Sequence, residues 1–283
     1  MTGSGDRIGI IAGSGHLPIH IAHSLSEAGL NIYVAALRDA ADPGIEKHGW
    51  DTGWFELYSL KGLLDGLRLA GVRKVVLAGK VSHDEIFGTT GFDALLIGFL
   101  HGLQDHRPST ILGGLVDLLA DSGFTVIPLT EAAPGLLPAA GHLAGPLIEH
   151  KQLPDLDFGW RMARGVADLD IGQSVVVKGR AVVAVEAMEG TDQAIERAGK
   201  ISKGGLTLVK LAASHHDFRF DAPTVGPDTI SRLAEAGGNV LAVEAGRCLV
   251  LDLDRISALC DEAGVALVAC RESEDGGVHW PEA

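Results

Sequence analysis

A three-part pattern constrains this chain more than any other feature: a short apolar run, a glycine turn, then a stretch of helical periodicity. Residues 8–12 are Ile-Gly-Ile-Ile-Ala and open directly onto Gly13-Ser14-Gly15-His16-Leu17-Pro18. An apolar run without alternation reads as a strand buried on both faces, which is the habit of parallel sheets. Pro18 suits the first turn of the following helix, which runs to about residue 28 and stops at Gly29. Residues 31–36 then supply the next strand. The pattern recurs at residues 60–70, an amphipathic stretch ending at Gly71, followed by the strand 74–78 and the turn Gly79-Lys80-Val81-Ser82. Two more helical stretches, 93–102 and 108–122, precede a strand at 125–128. Alternating strands and helices of this kind predict a doubly wound, Rossmann-like parallel sheet over residues 1–131.

From 132 to 154 the texture changes to Pro, Gly, Ala and His without clear periodicity, which reads as a linker or hinge, with an ordered crossing segment as the alternative. Residues 155–283 read as a second, mixed α/β domain. A helix at 157–167 leads to two β-rich runs, 174–178 and 181–186, around Gly179-Arg180, a predicted hairpin. Gly190 or Thr191 caps a helix at 192–198, and residues 207–211 form the next strand. Pro227 starts another helix. Residues 239–244 and 248–251 around Gly246-Arg247 read as a second hairpin, and a helix at 253–263 and a strand at 266–270 close the domain.

Charge narrows the function. The chain has 37 acidic and 23 basic side chains, a formal net charge of -14. That balance argues against a nucleic-acid binder, whose affinity comes from neutralising phosphates. A phosphorylated substrate would need a divalent cation or a local cationic pocket. The three cysteines, Cys248, Cys260 and Cys270, are odd in number and unevenly spaced, so they read as small buried hydrophobes in a reducing compartment. No apolar run approaches the roughly twenty residues that span a bilayer, and the N-terminus lacks the regions of a signal peptide, so a soluble cytoplasmic protein is expected. Transient peripheral contact at the inner membrane stays open.

Two stretches carry the chemistry. Residues 184–192, Ala-Val-Glu-Ala-Met-Glu-Gly-Thr-Asp, and 214–226 place Glu186, Glu189, Asp192, Asp217 and Asp221 near the ends of apolar runs, where α/β proteins keep their sites. Grouped carboxylates there bind a divalent cation or do acid/base work, whereas solvated turns are the plain alternative. The Gly13-Ser14-Gly15 turn leaves backbone N–H groups to meet a phosphate, but Pro18 stands where a dinucleotide fingerprint has its third glycine, which weakens a nicotinamide-dependent reductase. Lys80 could meet a phosphate at the second glycine turn. His16, His20 and His23 share a helical face without the glutamate of a metalloprotease helix and read as a polar stripe.

Residues 170–177 (Asp-Ile-Gly-Gln-Ser-Val-Val-Val), 185–192 and 217–226 (Asp-Phe-Arg-Phe-Asp-Ala-Pro-Thr-Val-Gly) resemble the LpxI family of UDP-2,3-diacylglucosamine pyrophosphatases. The N-terminal Ile-Ala-Gly-Ser-Gly-His-Leu-Pro and the Ala-Gly-Lys-Val-Ser turn at 78–82 look like that family's as well. The resemblance implies two α/β domains and a Mg²⁺-dependent hydrolase of lipid A biosynthesis, with Mn²⁺ left open as a substitute. It implies a lipid-linked sugar nucleotide as substrate, split to UMP and 2,3-diacylglucosamine 1-phosphate by water attack on the sugar-side phosphorus. The family's essential aspartate, in an R-x-D-x-P motif, matches Asp221 within Arg219-Phe-Asp-Ala-Pro223. Its E-G-T-D motif matches Glu189 to Asp192, and its D-I-G-Q motif ends on Gln173. The expected catalytic residues are Asp221, Asp192 and Arg219, with pairing to a neighbouring carboxylate as the alternative for Arg219, and the expected metal ligands Asp221, Asp192 and Glu189, with a purely structural role as the alternative for Glu189. The substrate-binding residues are Gly13, Gly15, Gly79, Lys80, Ser82, Gln173, Gly190 and Thr191. His216, where the family has Gln, and the segment Gln104-Asp105-His106 depart from its pattern. Glu186 is the carboxylate assigned most readily to structure. A homodimer remains open, and a non-catalytic binder of sugar nucleotides or phospholipids is the competing class, although carboxylates are hard to justify in a protein that only holds an anion.

Overall fold

A computed structural model describes residues 7–81, 91–105, 107–273 and 277–281. The chain divides into two compact units. One runs to Pro134 and also includes Asp217–Asp221; the other comprises Gly135–His216 and the chain from Ala222 onward.

The first unit carries β1 (Arg7–Ala12), α1 (Leu17–Glu27), β2 (Ile32–Leu37), β3 (Thr52–Phe55), α2 (Leu60–Leu69) and β4 (Val72–Ala78). It continues with α3 (Ala94–Gly102), α4 (Pro108–Asp121), β5 (Thr125–Val126) and the single turn α5 (Leu129–Ala132). Its five strands are all parallel in the order β3-β2-β1-β4-β5, the doubly wound sheet expected from the apolar runs. The order reverses between β1 and β4, so the ends of these two strands form the topological switch point. Leu60, Leu63, Leu64 and Leu67 of α2 pack with Val116 and Leu119 of α4 onto Ile11, Ala35, Val75 and Leu77. Ser82 and His106 lie outside the described residues.

In the second unit β6 (Gly141–Ala144), α6 (Leu153–Asp168), β7 (Ser174–Lys178), β8 (Ala181–Val185), α7 (Thr191–Ile201) and β9 (Leu206–Lys210) come first. They are followed by β10 (Thr224–Val225), α8 (Pro227–Glu235), β11 (Gly238–Glu244), β12 (Leu249–Val250), α9 (Leu253–Ala263) and β13 (Ala266–Cys270). The main sheet has the order β6-β13-β11-β9-β7-β8, with β13, β11 and β9 parallel and β6 and β7 antiparallel to their neighbours. Alternate residues face opposite layers. Leu241 and Val243 meet Ile195, Ile230 and Ile256 of α7, α8 and α9, while Val240 and Ala242 meet Leu156, Trp160 and Ala163 of α6.

The β7–β8 hairpin forms as expected. Gly179 and Arg180 have φ of 58° and 57°, the signature of a type I′ turn, and Asp155 accepts hydrogen bonds from both of their backbone N–H groups. The expected second hairpin does not form. Both sides of β11 are occupied by the parallel strands β9 and β13, so β12 instead pairs in parallel with β10. The expected linker is also ordered structure: β6 covers the outer side of β13, and Glu149 and Gln152 form a capping box just before α6. All three cysteines are buried and free, with burial pushing their thiols up to about 12 for Cys248 and Cys270 and about 11 for Cys260. They remain protonated and act as hydrophobes, as expected.

Candidate active site

At the switch point of the first unit the two glycine turns zip together. Gly13 N–H donates to Ala78 at 2.8 Å, Ser14 N–H to Lys80 at 2.7 Å, and Lys80 N–H back to Ser14 at 3.0 Å. A Cβ on Gly13 would lie 2.5 Å from the Lys80 carbonyl oxygen, and one on Gly79 2.7 Å from that of Ser14. Close backbone approach therefore explains both glycines, and the N–H groups of Gly13, Ser14 and Lys80 are engaged by protein rather than offered to an anion. Gly15, with φ of 87° and open space around it, and the exposed Lys80 side chain remain at the mouth of this turn. On α1, His16 occupies the N-cap, while His23 packs edge-on against His48 and Trp50.

The loop Asp217–Asp221 belongs to this first unit although it follows β9 in sequence. Leu129 N–H donates to Phe218 at 2.8 Å, and Phe220 packs against the core around α2 and α4. Arg219 folds onto Asp217: Nε lies 3.0 and 3.1 Å from the two carboxylate oxygens, and Nη2 lies 2.6 Å from Oδ2. That pair holds the Arg219 guanidinium above its ordinary pKa, and the loop presents Asp221 half-buried two residues on.

In the second unit one edge of the sheet gathers the end of β8, the end of β9, the start of β7 and the N-terminus of α7. Glu186 follows β8, Lys210 ends β9, Ser174 opens β7 and Thr191 opens α7. Lys210, only 4% exposed, donates from Nζ to Thr191 Oγ1 at 2.7 Å and Ser174 Oγ at 3.3 Å, and lies 3.5 Å from Glu186 Oε2. The Thr191 hydroxyl donates a hydrogen bond to Glu186 Oε1 at 2.8 Å, and the backbone N–H of Gln173 reaches Oε2 at 3.4 Å. Burial alone would raise the Glu186 pKa; the Lys210 ammonium and the hydroxyls of Ser174 and Thr191 outweigh it and hold the carboxyl below its ordinary value. The D-I-G-Q segment is held against this group, since a Cβ on Gly172 would lie 2.1 Å from the Glu186 carbonyl oxygen. Thr191 is thus not the helix cap. Gly190 takes that position with φ of 84°, and the threonine hydroxyl is turned into the network.

The other two acids of the turn each lie beside an arginine. Glu189 pairs with Arg197 at 2.5 Å and accepts from Ala187 N–H; its carboxyl is held low by its own backbone N–H first and by Arg197. Asp192 lies 3.2 Å from Arg232 Nε, at ion-pair distance but off hydrogen-bond alignment, and Arg232 also holds Glu196. Within the turn itself each acid has a neighbouring cation: Lys210 for Glu186, Arg197 for Glu189 and Arg232 for Asp192. Among the described residues no group of three or more His, Cys, Asp or Glu is arranged to hold an ion. The donor set does not make a protein cage for Mg²⁺, and Glu189 is committed to Arg197. What fits is the other habit of this ion, one or two carboxylates with substrate phosphates and water completing the shell. Asp192 has a half-exposed side chain, and Asp221 is half-buried in its own unit.

A second buried pair braces the chain leading out of β9. Glu244, at the end of β11 and 5% exposed, accepts from Arg164 Nη2 at 2.6 Å and from Ala212 N–H at 3.2 Å. Arg164 also donates to the Ala212 carbonyl, and Arg247 Nη2 to that of Ala213 at 2.5 Å. Asp168 accepts from both the N–H and the hydroxyl of Ser214. Sequence reasoning missed Lys210, Arg164 and Glu244. The signal for Lys210 was a lysine inside the otherwise apolar run Leu-Thr-Leu-Val-Lys-Leu-Ala at 206–212.

Comparison with known proteins accounts for both units. The LpxI N-terminal domain matches residues 7–136 and the LpxI C-terminal domain residues 139–268. The UDP-2,3-diacylglucosamine pyrophosphatase LpxI of Caulobacter vibrioides is 32% identical over 282 residues, covering 95% of this chain and 99% of that protein.

Proposed function

The chain belongs to the LpxI family, and from that premise we propose that it hydrolyses the pyrophosphate of UDP-2,3-diacylglucosamine to UMP and 2,3-diacylglucosamine 1-phosphate in lipid A biosynthesis. The observation that carries this reading is a match running through both halves of the chain, over 95% of its length, to a relative named for that activity. In the reaction a water oxygen forms a bond to the sugar-side phosphorus, the bridging P–O bond breaks, and its electron pair leaves with UMP. The water's protons pass to bulk or to a carboxylate.

Asp221 is the first candidate to hold the attacking water or a cation, and Asp192 the second. Mg²⁺, held by one of these carboxylates with the substrate's phosphates and water, would neutralise the charge that otherwise repels the diphosphate from an acidic protein. Arg219, oriented by Asp217, would oppose charge on the phosphoryl group. Gly190 and Thr191 would set the start of α7 against an anionic group, with Gln173 alongside, and Gly15 and Lys80 would meet a phosphate at the first unit's switch point. The substrate's acyl chains imply transient contact with a lipid surface; among the described residues no helix is long and apolar enough to cross a membrane.

Asp221→Ala tests the assignment. The variant should fold with wild-type melting behaviour and lose turnover by about a hundredfold or more, within the range typical for removal of a group acting in the transition state. Wild-type turnover in a folded Asp221→Ala protein would remove this residue from the mechanism. Retention of UDP-diacylglucosamine without release of UMP by the wild-type protein would favour a binding module.

A further inference from the structure

We infer that Lys210 and Glu186 form a positioning pair for the reaction, an ion pair of a buried lysine and a largely buried glutamate that fixes Thr191 and thereby the Gly190-Thr191-Asp192 turn against the substrate's diphosphate. The inference rests on the hydrolase reading above and adds two residues to it. Lys210 lies outside the motifs on which that reading was built, and Glu186, within residues 185–192, was there the carboxylate assigned most readily to structure.

Three observations carry it. The first is that stability does not explain the pair. β9 otherwise places Leu206, Leu208 and Val209 in the core, and Leu211 and Ala212 follow as fully buried residues. A lysine and a glutamate taken out of water here are each strongly disfavoured until paired. Apolar residues of similar volume in place of such pairs generally hold a fold as well or better. Charge at this position needs a reason beyond packing.

The second is saturation. An ammonium has three hydrogens, and Lys210 Nζ has three acceptors around it: Thr191 Oγ1, Ser174 Oγ and Glu186 Oε2. Glu186 in turn receives the hydroxyls of Thr191 and Ser174 and the Gln173 N–H. With its donors and acceptors matched inside the protein, neither group is placed to touch a phosphate or shuttle a proton. They act through what they hold.

The third is what they hold. The Thr191 hydroxyl donates its one proton to Glu186 and accepts from Lys210, so both its direction and the backbone of the first helical residue are fixed from two sides. The next residue is Asp192, and the preceding one is the Gly190 cap. The same group ties the start of β7 and the ends of β8 and β9 to the start of α7, so a shift in any of them moves the turn. Arg164 and Glu244, a second ion pair of this unit, reach backbone groups of Ala212 instead.

Three variants test the inference: Lys210→Met, Glu186→Leu and the double Lys210→Met/Glu186→Leu, each followed by thermal unfolding and by steady-state release of UMP from UDP-2,3-diacylglucosamine. Each single variant strands a buried partner and should melt below wild type. The double variant removes both charges together and should regain wild-type melting. Its kcat should nevertheless stay about tenfold to a hundredfold below wild type with KM little changed, the penalty expected when reacting groups sit by about 1 Å out of place. A pair that serves only the fold would give a double variant recovered in both melting and kcat, and that result overturns the inference. A double variant that does not fold overturns it too, because the pair would then be needed for structure. Wild-type protein that releases no UMP overturns the hydrolase reading and the pair's role with it. Wild-type turnover beside an unimpaired double variant overturns the pair's role alone.

Discussion

Replacing Arg164 with methionine should destabilise the second unit by about 3–4 kcal/mol. Methionine keeps most of the aliphatic stem and removes only the guanidinium. In the native protein burial works against the charge of Arg164, but Glu244 outweighs it and holds the guanidinium above its ordinary pKa. Removal of one partner of a buried ion pair costs about 3–5 kcal/mol, since the other charge is left in a low-dielectric setting. Glu244 keeps the Ala212 N–H at 3.2 Å and Arg247 Nε at 3.3 Å, so the lower end, about 3 kcal/mol, applies to the pair itself. Loss of the donor to the Ala212 carbonyl adds up to about 1 kcal/mol. At roughly 2–4 °C per kcal/mol for a protein of this size, calorimetry should show the transition lowered by about 6–16 °C. Arg164→Lys, which restores charge without the planar fork, should fall between the two. A loss below about 1 kcal/mol would mean that the pair behaves like a solvated surface bridge and would refute the reasoning.

Gly13→Ala should lower the stability of the first unit by about 1–3 kcal/mol, because its Cβ meets the Lys80 backbone at 2.5 Å, and the loss should be the same with and without substrate; a loss seen only as weakened substrate binding would restore the phosphate-turn reading. The acid limb of stability tests Glu186. Its carboxyl is held below the ordinary 4.5, so its contribution is present above the unfolded value and is lost as pH falls through the lower folded one. The stability gap between wild type and Glu186→Gln, read from denaturant midpoints, should stay constant from neutral pH down to the ordinary glutamate range and shrink only below it. A gap already closing near about pH 6 would contradict the pairing with Lys210. Chelation should abolish UMP release and added Mg²⁺ restore it; turnover untouched by a chelator would remove the cation from the mechanism.

What the sequence disclosed follows the range of the interactions involved. The strands of the first sheet were legible because each is an apolar run closed by a glycine, and the β7–β8 hairpin because its two turn residues lie between its own strands. The pairing of β12 with β10 was not, since a short apolar run beside another strand reads as a hairpin until the neighbours of β11 are known. Similarly β6 looked like linker because its four residues form a strand only against β13, more than a hundred residues later in the chain. The acids of residues 186–192 were found, but their partners were not: Lys210, Arg197 and Arg232 come from β9, α7 and α8, and only the fold shows that each carboxylate has a neighbouring cation. At Gly13 and Gly79 the structure shows a close backbone approach, a demand that leaves the same mark in a sequence as a phosphate cradle.

The central claim is that this chain cleaves a sugar-nucleotide pyrophosphate by water attack on the sugar-side phosphorus. Turnover of UDP-2,3-diacylglucosamine in water enriched in the heavy oxygen isotope, with both products weighed by mass spectrometry, tests it directly. The account predicts unlabelled UMP and one heavy oxygen in 2,3-diacylglucosamine 1-phosphate. Heavy oxygen in UMP, or no UMP at all, would contradict it.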